Sequence, residues 1–358
     1  MVTLSGVPSH KYIVVEGDDP VYVLVDAFGY ASLAPKESSF FFLSHAHSDH
    51  YTGLKSSWNF GKIYCSEITG KLVHKIVGVD EKWLCPLNFG QRCLVPDSQI
   101  FVTIIDAFHC PGAVIFLFEL PDGKKIVHTG DFRYNAETME NCEQLLGFKG
   151  CNSLYLDTTY CNTRHVFPKQ DESISYIVKT VSSELNTEIT ATRPWPCIIL
   201  ISTYVIGKEK ILEQVARAAG GFKLYVDERK QGILSCLDID MDIFTRDSES
   251  TPIHVVKWNF LGETWPYFRP NFVDAKKYAE QYGAKRVVAF VPTGWVSPKT
   301  PEDTFKVVSK GNVCIHLVPY SEHSSYQELL DFVSLLKPQQ VRWLQPFDGI
   351  LGSLCVGD

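Results

Sequence analysis

Short apolar runs separated by turn residues dominate the first 160 positions. Residues 12–15, 21–26, 40–44, 62–65, 101–106, 114–120, 125–129 and 153–157 have the length and the β-branched and aromatic content of strands. Pro121-Asp122-Gly123-Lys124 predicts a hairpin turn between two of them. Residues 67–77 repeat apolar side chains at helical spacing and predict a helix between strands. From about residue 165 the pattern becomes an alternation of strand and helix. Strands are predicted at 197–202, 223–226, 286–291 and 313–318. Helices are predicted at 207–219, closed by Gly220-Gly221, at 274–282, stopped by Gly283, and at 325–336, halted before Pro338. Residues 238–270 show no readable period. A β-rich lobe made of both chain ends, interrupted by an α/β lobe, is the simplest division.

The chain has 358 residues, 45% hydrophobic and 21% charged, enough to bury a large core in two lobes. No run approaches about 18 apolar residues, and Met1-Val2-Thr3-Leu4-Ser5 lacks the regions of a signal peptide, so an intracellular protein is expected. Eleven cysteines without a CxxC pair argue for a reduced compartment and against a disulfide framework. The net charge of −7 weighs at first against a polyanionic partner. Its distribution changes that picture: residues 161–320 carry 20 Lys+Arg against 18 Asp+Glu, a balance of +2, and the rest of the chain holds −9. Bound divalent cations would invert the sign of that acidic part. There is no internal repeat and no Lys/Arg cluster that reads as a nuclear localisation signal.

The chemistry is concentrated after the apolar run Phe40-Phe41-Phe42-Leu43, where Ser44-His45-Ala46-His47-Ser48-Asp49-His50 packs three imidazoles and a carboxylate together. Alternate residues of an extended segment share a face, so His45 and His47 point one way, and the turn brings Asp49 and His50 to an adjacent position. One metal can take the first pair and a second the other, at the separation of about 3.5–4 Å that two-metal hydrolases use. His109, in His109-Cys110-Pro111-Gly112, and Asp131, in Gly130-Asp131-Phe132-Arg133, also fall at strand ends. Taken singly, such a histidine is more often a hydrogen-bonded core or surface residue and such an aspartate a turn. Four imidazoles and two carboxylates at strand ends of one lobe reverse those odds, and they are the nitrogen and oxygen ligands zinc takes.

This arrangement resembles the metallo-β-lactamase superfamily. Four further motifs narrow the likeness: Leu156-Asp157-Thr158-Thr159-Tyr160-Cys161, Ile201-Ser202-Thr203-Tyr204-Val205-Ile206-Gly207-Lys208-Glu209, Pro292-Thr293-Gly294-Trp295 and Pro319-Tyr320-Ser321-Glu322-His323-Ser324-Ser325. With Val25-Asp26-Ala27-Phe28 at the start and Pro338 at the end, they look like the β-CASP nucleases of DNA cross-link repair, the group that includes Apollo and Artemis. The resemblance implies an α+β fold, a metallo-β-lactamase αββα sandwich with an inserted α/β β-CASP cap. It implies a first part over 1–164, a cap over 165–310 that walls a nucleic-acid groove, and a final part over 311–358. It gives His45, His47 and His109 to one metal, Asp49 and His50 to the other, and makes Asp131 the bridge. Asp49 would orient a metal-bound hydroxide, which forms near neutral pH because zinc lowers the pKa of its water to about 7. Asp157 would orient His323 and keep it protonated, so that it contacts the phosphate or protonates the leaving 3′ oxygen. Asp26 would brace the metal loop from behind. Thr203, Tyr204, Lys208, Thr293, Ser324 and Ser325 would receive a terminal 5′ phosphate, although helix capping explains each hydroxyl about equally well.

The function expected on this basis is a zinc-dependent DNA nuclease, a 5′→3′ exonuclease in interstrand cross-link or end repair, acting on DNA with a 5′ phosphate, in the nucleus and without a membrane. One or two zinc ions are expected, the second site weak or filled by Mg or Mn, because no histidine follows His323 and the extra ligand of RNA-processing relatives is missing. The alternatives are a structure-selective endonuclease or RNA nuclease of the same fold, and a non-catalytic repair scaffold. A small-molecule hydrolase of lactamase or thioesterase type would leave the cap motifs without a purpose. About 25 residues precede Asp26, too few for an N-terminal targeting or ubiquitin-binding domain, and Val341-Arg342-Trp343-Leu344-Gln345-Pro346-Phe347-Asp348-Gly349 departs from the family pattern, which leaves the last strand open.

Overall fold

The computed structural model describes residues 3–188, 194–264, 267–295 and 304–345. They fall into two compact units, one reaching His165 and resuming at Glu322, the other spanning Val166–Ser321. The first unit opens with β1 (Tyr12–Val15), β2 (Val21–Val25), β3 (Ser39–Phe42), β4 (Ile63–Ser66) and β5 (Leu84–Leu87), which form one sheet in that order. Helix α1 (Glu67–Val77) connects β4 to β5. Both its ends are written locally: the Ser66 hydroxyl accepts the Thr69 N–H at the start, and Gly78 ends the helix at φ 80°. The chain continues through β6 (Cys93–Leu94), β7 (Phe101–Asp106), β8 (Val114–Glu119), β9 (Lys125–His128), two single-turn helices α2 (Ala136–Met139) and α3 (Glu143–Leu146), and β10 (Ser153–Leu156).

The second unit starts with α4 (Gln170–Glu188), which the sequence reading did not anticipate. Its signal is present, since the buried Ile174, Ile177, Val181 and Leu185 recur at three- and four-residue spacing inside a polar segment. There follow β11 (Cys197–Thr203), α5 (Glu209–Ala218), β12 (Leu224–Tyr225), α6 (Glu228–Leu234), β13 (Phe244–Thr245), β14 (Ile253–Lys257), a small ribbon of β15 (Gly262–Glu263) and β16 (Arg269–Pro270), α7 (Phe272–Gln281), β17 (Arg286–Thr293), β18 (Lys306–Lys310) and β19 (Val313–Pro319). Seven of these strands form one sheet in the order β13-β12-β14-β11-β17-β19-β18, parallel except for the edge strand β18. Strand β19 pairs with β17 from Val313 to Pro319, so this unit runs to Ser321, whereas the sequence put the end of the cap at 310.

The chain then returns to the first unit with α8 (Tyr326–Leu336) and β20 (Val341–Trp343). Strand β20 lies parallel to β10 and completes the second sheet, β20-β10-β9-β8-β7-β6. The segment whose fold the sequence left open therefore adds an edge strand, and residues 346–349 of that motif lie outside the described residues. Val23, Val25, Phe42 and Tyr64 from the first sheet pack with Ile104, Phe116, Phe118 and Ile126 from the second in one buried cluster. Phe42 meets Phe118 edge-on at 5.0 Å. At roughly 1.5–3 kcal/mol for each large apolar side chain fully buried, this layer fixes the two sheets and hence the strand ends that carry the polar residues. The sandwich with an inserted α/β unit is the expected fold class. No disulfide joins any of the ten described cysteines.

Candidate metal centre

The polar motifs of the first unit converge. His45, His47 and His50 follow β3, His109 follows β7 and Asp131 follows β9, all past the last residue of a strand. His45 Nε2 lies 2.9 Å from His47 Nδ1, and His109 Nε2 lies 3.1 Å from the same atom. His50 Nε2 is 3.2 Å from Asp131 Oδ2, which also faces His45 Nε2 at 3.8 Å and His109 Nε2 at 3.9 Å. One carboxylate oxygen thus stands among three imidazoles.

The opposite ring nitrogens are tied to the fold. His109 Nδ1 donates to the Glu322 carbonyl at 2.8 Å, and His50 Nδ1 donates to Asp26 Oδ2 at 2.7 Å. His45 Nδ1 lies 2.9 Å from the Ser44 hydroxyl. Carbonyl and carboxylate oxygens only accept, so His50 and His109 carry Nδ1–H and present Nε2 to the centre. Asp26 organises the loop from a left-handed conformation, φ 50°, that aspartate tolerates better than most residues. Its carboxylate accepts the Ser44 N–H at 2.8 Å and the Ser44 hydroxyl at 2.7 Å besides His50. Asp26→Ala is expected to weaken metal binding roughly 10–100-fold, measured by competition against a calibrated chelator.

Electrostatics suits a cation here. Burial, reinforced by neighbouring imidazoles, holds His45 and His109 well below the ordinary histidine range, so both are neutral. Burial also opposes charge on His50, but Asp131 and Asp26 outweigh it and raise that group well above 6.5. Burial works against ionised Asp131 as well, and the surrounding His50 and His323 more than reverse it and hold the carboxyl far down. Neutral imidazoles and an ionised carboxylate are the forms that ligate metals. Three groups of donors lie within 4.8 Å of one another: His45, His47, His109 and Cys110; His45, His50 and Asp131; His109, Asp131 and His323. Buried ring nitrogens facing one another at hydrogen-bond distance, with an anion among them, fit a divalent cation better than any arrangement of protons.

The close approach depends on Gly130. It adopts φ +53°, and a Cβ there would stand 2.6 Å from the Ser44 Cβ. Gly130→Ala is expected to cost at least about 1–3 kcal/mol, read as a lower urea midpoint with an unchanged slope.

Not every expected ligand is drawn in. The Asp49 side chain is 78% exposed, with Oδ2 3.6 Å from His50 Nε2, and it joins none of the three donor groups among the described residues. Asp157 and His323 do meet: Oδ2 of Asp157 accepts from His323 Nδ1 at 2.8 Å and from the Phe132 N–H at 3.2 Å. Its Oδ1 accepts the Thr159 N–H and hydroxyl at 2.9 and 2.7 Å, which fixes the carboxylate. Burial opposes charge on His323, but Asp157, with help from Asp131, carries its pKa up to about 9. Its ring lies 4.6 Å from that of His109.

The residues expected to hold phosphate divide between the units. Ser324 accepts the Tyr134 N–H and donates to the Phe132 carbonyl, and Ser325 caps α8 in a capping box with Glu328, so both hydroxyls are engaged by the turn that carries His323. Thr203 and Thr293 end the paired strands β11 and β17, and the Thr293 hydroxyl accepts the Trp295 N–H. Buried Lys208 places its ammonium 4.0 Å from the centre of the Tyr204 ring. Sequence reasoning missed Cys110 and Gln345. Cys110 had a signal, its place beside His109 ahead of a Pro-Gly turn. Gln345 had none: its amide donates to Asp131 Oδ1 at 3.3 Å and accepts the Thr158 N–H at 2.7 Å only because β20 pairs with β10.

Stacked sheets that gather imidazoles and a carboxylate at their strand ends define a metal-site sandwich protein, and comparison with known proteins narrows the class. The family described as "DNA repair metallo-beta-lactamase" matches residues 239–342. DNA ligase 6 of Arabidopsis thaliana is 46% identical over 306 residues, covering 84% of this chain and 21% of that protein. DNA cross-link repair protein SNM1 of the same plant is 38% identical, covering 88% of this chain and 62% of its own length. The 5′ exonuclease Apollo of Mus musculus is 34% identical, with coverages of 84% and 50%. A protein of unknown function from Enterococcus faecalis V583 shares the fold at a TM-score of 0.52 and 15% identity, over 85% of this chain and 75% of that one. The chain belongs to the metallo-β-lactamase/β-CASP family of DNA cross-link repair proteins. It spans between 21% and 62% of the length of the three sequence relatives named.

Proposed function

We propose that this chain is a metal-dependent DNA nuclease, a 5′→3′ exonuclease that hydrolyses phosphodiester bonds in interstrand cross-link or end repair, in the nucleus. The observation that carries the reading is the convergence of His45, His47, His50, His109 and Asp131 on one point, in a family whose named relatives include a 5′ exonuclease. The nitrogen and oxygen donors favour zinc. A metal held there would polarise a phosphoryl oxygen and lower the pKa of a bound water.

The chain's own residues supply the rest. His45, His47 and His109 would hold one ion, His50 with Asp49 would serve a second and weaker site, and Asp131 would be the ligand the two share. The fixed Asp157 carboxylate keeps His323 protonated, so that its Nε2–H can meet a phosphate oxygen or protonate the departing 3′ oxygen. Thr203, Tyr204, Lys208 and Thr293 receive the 5′ phosphate, while the Ser324 and Ser325 hydroxyls hold the turn beneath His323. No described helix is long and apolar enough to cross a membrane.

Single strands of DNA and RNA, each with a 5′ phosphate or a 5′ hydroxyl, test this with and without chelator. Mononucleotides released in order from 5′-phosphorylated DNA, lost with chelator and restored by zinc, are the expected result. Internal cutting of 5′-hydroxyl strands at an equal rate overturns the exonuclease reading.

A further inference from the structure

His128 closes β9 inside the second sheet, paired with Phe116 of β8 and Tyr155 of β10. Its ring is buried and lies nearly parallel to that of Tyr155, with centres 5.3 Å and planes 16° apart, and Tyr155 belongs to the apolar layer between the sheets. Nδ1 stands 3.1 Å from the Gly130 nitrogen and accepts that N–H. A backbone N–H only donates, so Nδ1 is bare and the ring proton sits on Nε2. Burial pushes the His128 pKa down to about 3, which keeps the ring neutral and the acceptor in place. Nε2–H is enclosed and has no hydrogen-bond partner among the described residues. Buried donors seldom go unpaired, and a phenylalanine would fill the same place against Tyr155 with no polar atom stranded. The cost of that donor points to a use for Nδ1.

That use lies in the turn that carries Asp131. Gly130 is buried at φ +53°, so its N–H needs a partner within the protein. His128 takes that N–H, and the Thr129 hydroxyl donates to the Gly130 carbonyl at 2.7 Å while accepting the Asp157 N–H at 2.9 Å. The Thr129 N–H is tied in turn to the Tyr155 carbonyl at 2.9 Å. On the far side of Asp131, the Phe132 N–H is held by the Asp157 carboxylate at 3.2 Å. The backbone is thus fixed on both sides of Asp131, and the Gly130 N–H is the hold that depends on an imidazole. We propose that His128 is a positioning residue for the metal centre: its Nδ1 fixes the Gly130 peptide, and through it the direction from which the Asp131 carboxylate meets His45, His50 and His109. It acts through the backbone and not as a ligand. The inference rests on Asp131 holding metal.

Two substitutions divide the acceptor from the ring. His128→Phe keeps the stack on Tyr155 and removes Nδ1. His128→Asn gives up the ring and keeps an acceptor, because an asparagine side chain bonds the backbone N–H two residues on. Zinc affinity of the full chain, measured by competition against a calibrated chelator, is expected to fall at least about tenfold in the phenylalanine variant and to stay within about threefold of the native value in the asparagine variant. The visible spectrum of the cobalt-loaded chains reports ligand geometry and should divide the same way, altered in the first variant and native in the second. A role in packing alone predicts the reverse order, with the smaller asparagine the more disturbed. His128→Leu, close to asparagine in shape but without the acceptor, is expected to match phenylalanine and carries the test if that variant does not fold. Tyr155→Leu removes the stacking partner, leaves Nδ1 in place and stands in for asparagine in the same way, with zinc affinity again within about threefold of native. Native affinity and spectrum in the variants without the acceptor would overturn the proposal, as would an equal loss in folded variants that keep it. A native chain that takes up no zinc overturns the metal reading and this inference with it, whereas a phenylalanine variant that binds as the native chain does overturns this inference alone.

Discussion

Asp131→Ala is expected to lower nuclease turnover at least about a thousandfold, roughly 4 kcal/mol of lost transition-state stabilisation, and to release metal during purification. Among the described residues, Asp131 Oδ2 is the one anionic atom within 3.9 Å of His45, His50 and His109 together, so its removal strips the shared ligand from both donor groups that contain it. It also leaves buried His50 with Asp26 as its remaining fixed anion, at a site where Asp131 helps to raise its pKa. An uncompensated charge in the interior costs about 3–5 kcal/mol when a buried pair is broken, so the metal-free variant should also unfold at lower urea. Rates under single-turnover conditions, paired with elemental analysis of the same sample, read both effects. Asp131→Asn keeps the volume and loses the charge, and it should lose activity nearly as fully while regaining part of the stability. Activity near the original level in either variant would place the chemistry elsewhere.

Removing His323 is the second large effect. His323→Gln is expected to slow cleavage about 10²–10⁴-fold, the usual contribution of a positioned acid or base, with little change in metal content. Asp157→Asn should act more subtly, through pH. The folded-state pKa of His323 is about 9, above the ordinary histidine value, with burial opposing charge and Asp157 the largest contribution in its favour. A raised pKa stabilises the fold fully below about 6.5, and that contribution is lost as pH rises through about 9. In the chelated protein, NMR titration of His323 should show that value, and Asp157→Asn should move it down toward 6.5. A cation on Asp131 withdraws the smaller push from that carboxylate, so the alkaline limb of the metal-loaded enzyme should fall somewhat below 9. A limb unmoved by Asp157→Asn would remove His323 from the reaction.

Much of this site was legible because its residues sit in short, dense words. The run from His45 to His50 announced itself through four ionisable groups in six positions, which no folding requirement explains. His109 and Asp131 gained meaning only from company, and the fold supplied that company by bringing the residues just past β3 of one sheet to those just past β7 and β9 of the other. Asp49 shows what spacing leaves open: its motif placed it with His50, and its Oδ2 lies 3.6 Å from His50 Nε2, but on a side chain that is 78% exposed. Gln345 shows the opposite case, a polar contact to Asp131 made by tertiary pairing of β20 that no local pattern carries. In the fold, turn-bounded strands were readable because burial on two faces demands continuous apolar runs. Helix α4 went unread because its apolar stripe of single residues lies diluted among serines, glutamates and lysines, and the two-residue strands β12 and β13 are too short to hold a period. The cap boundary slipped to Ser321 because β19 is a central partner of β17, a pairing set by the sheet and not by any composition change at 310.

Zinc-edge X-ray absorption of the purified chain tests the central claim most directly. The account predicts stoichiometric zinc in an imidazole-rich shell of nitrogen and oxygen at about 2.0–2.1 Å, with the imidazole signal diminished by His47→Ala. A shell dominated by sulfur at about 2.3 Å, or a chain that takes up no zinc, would contradict it.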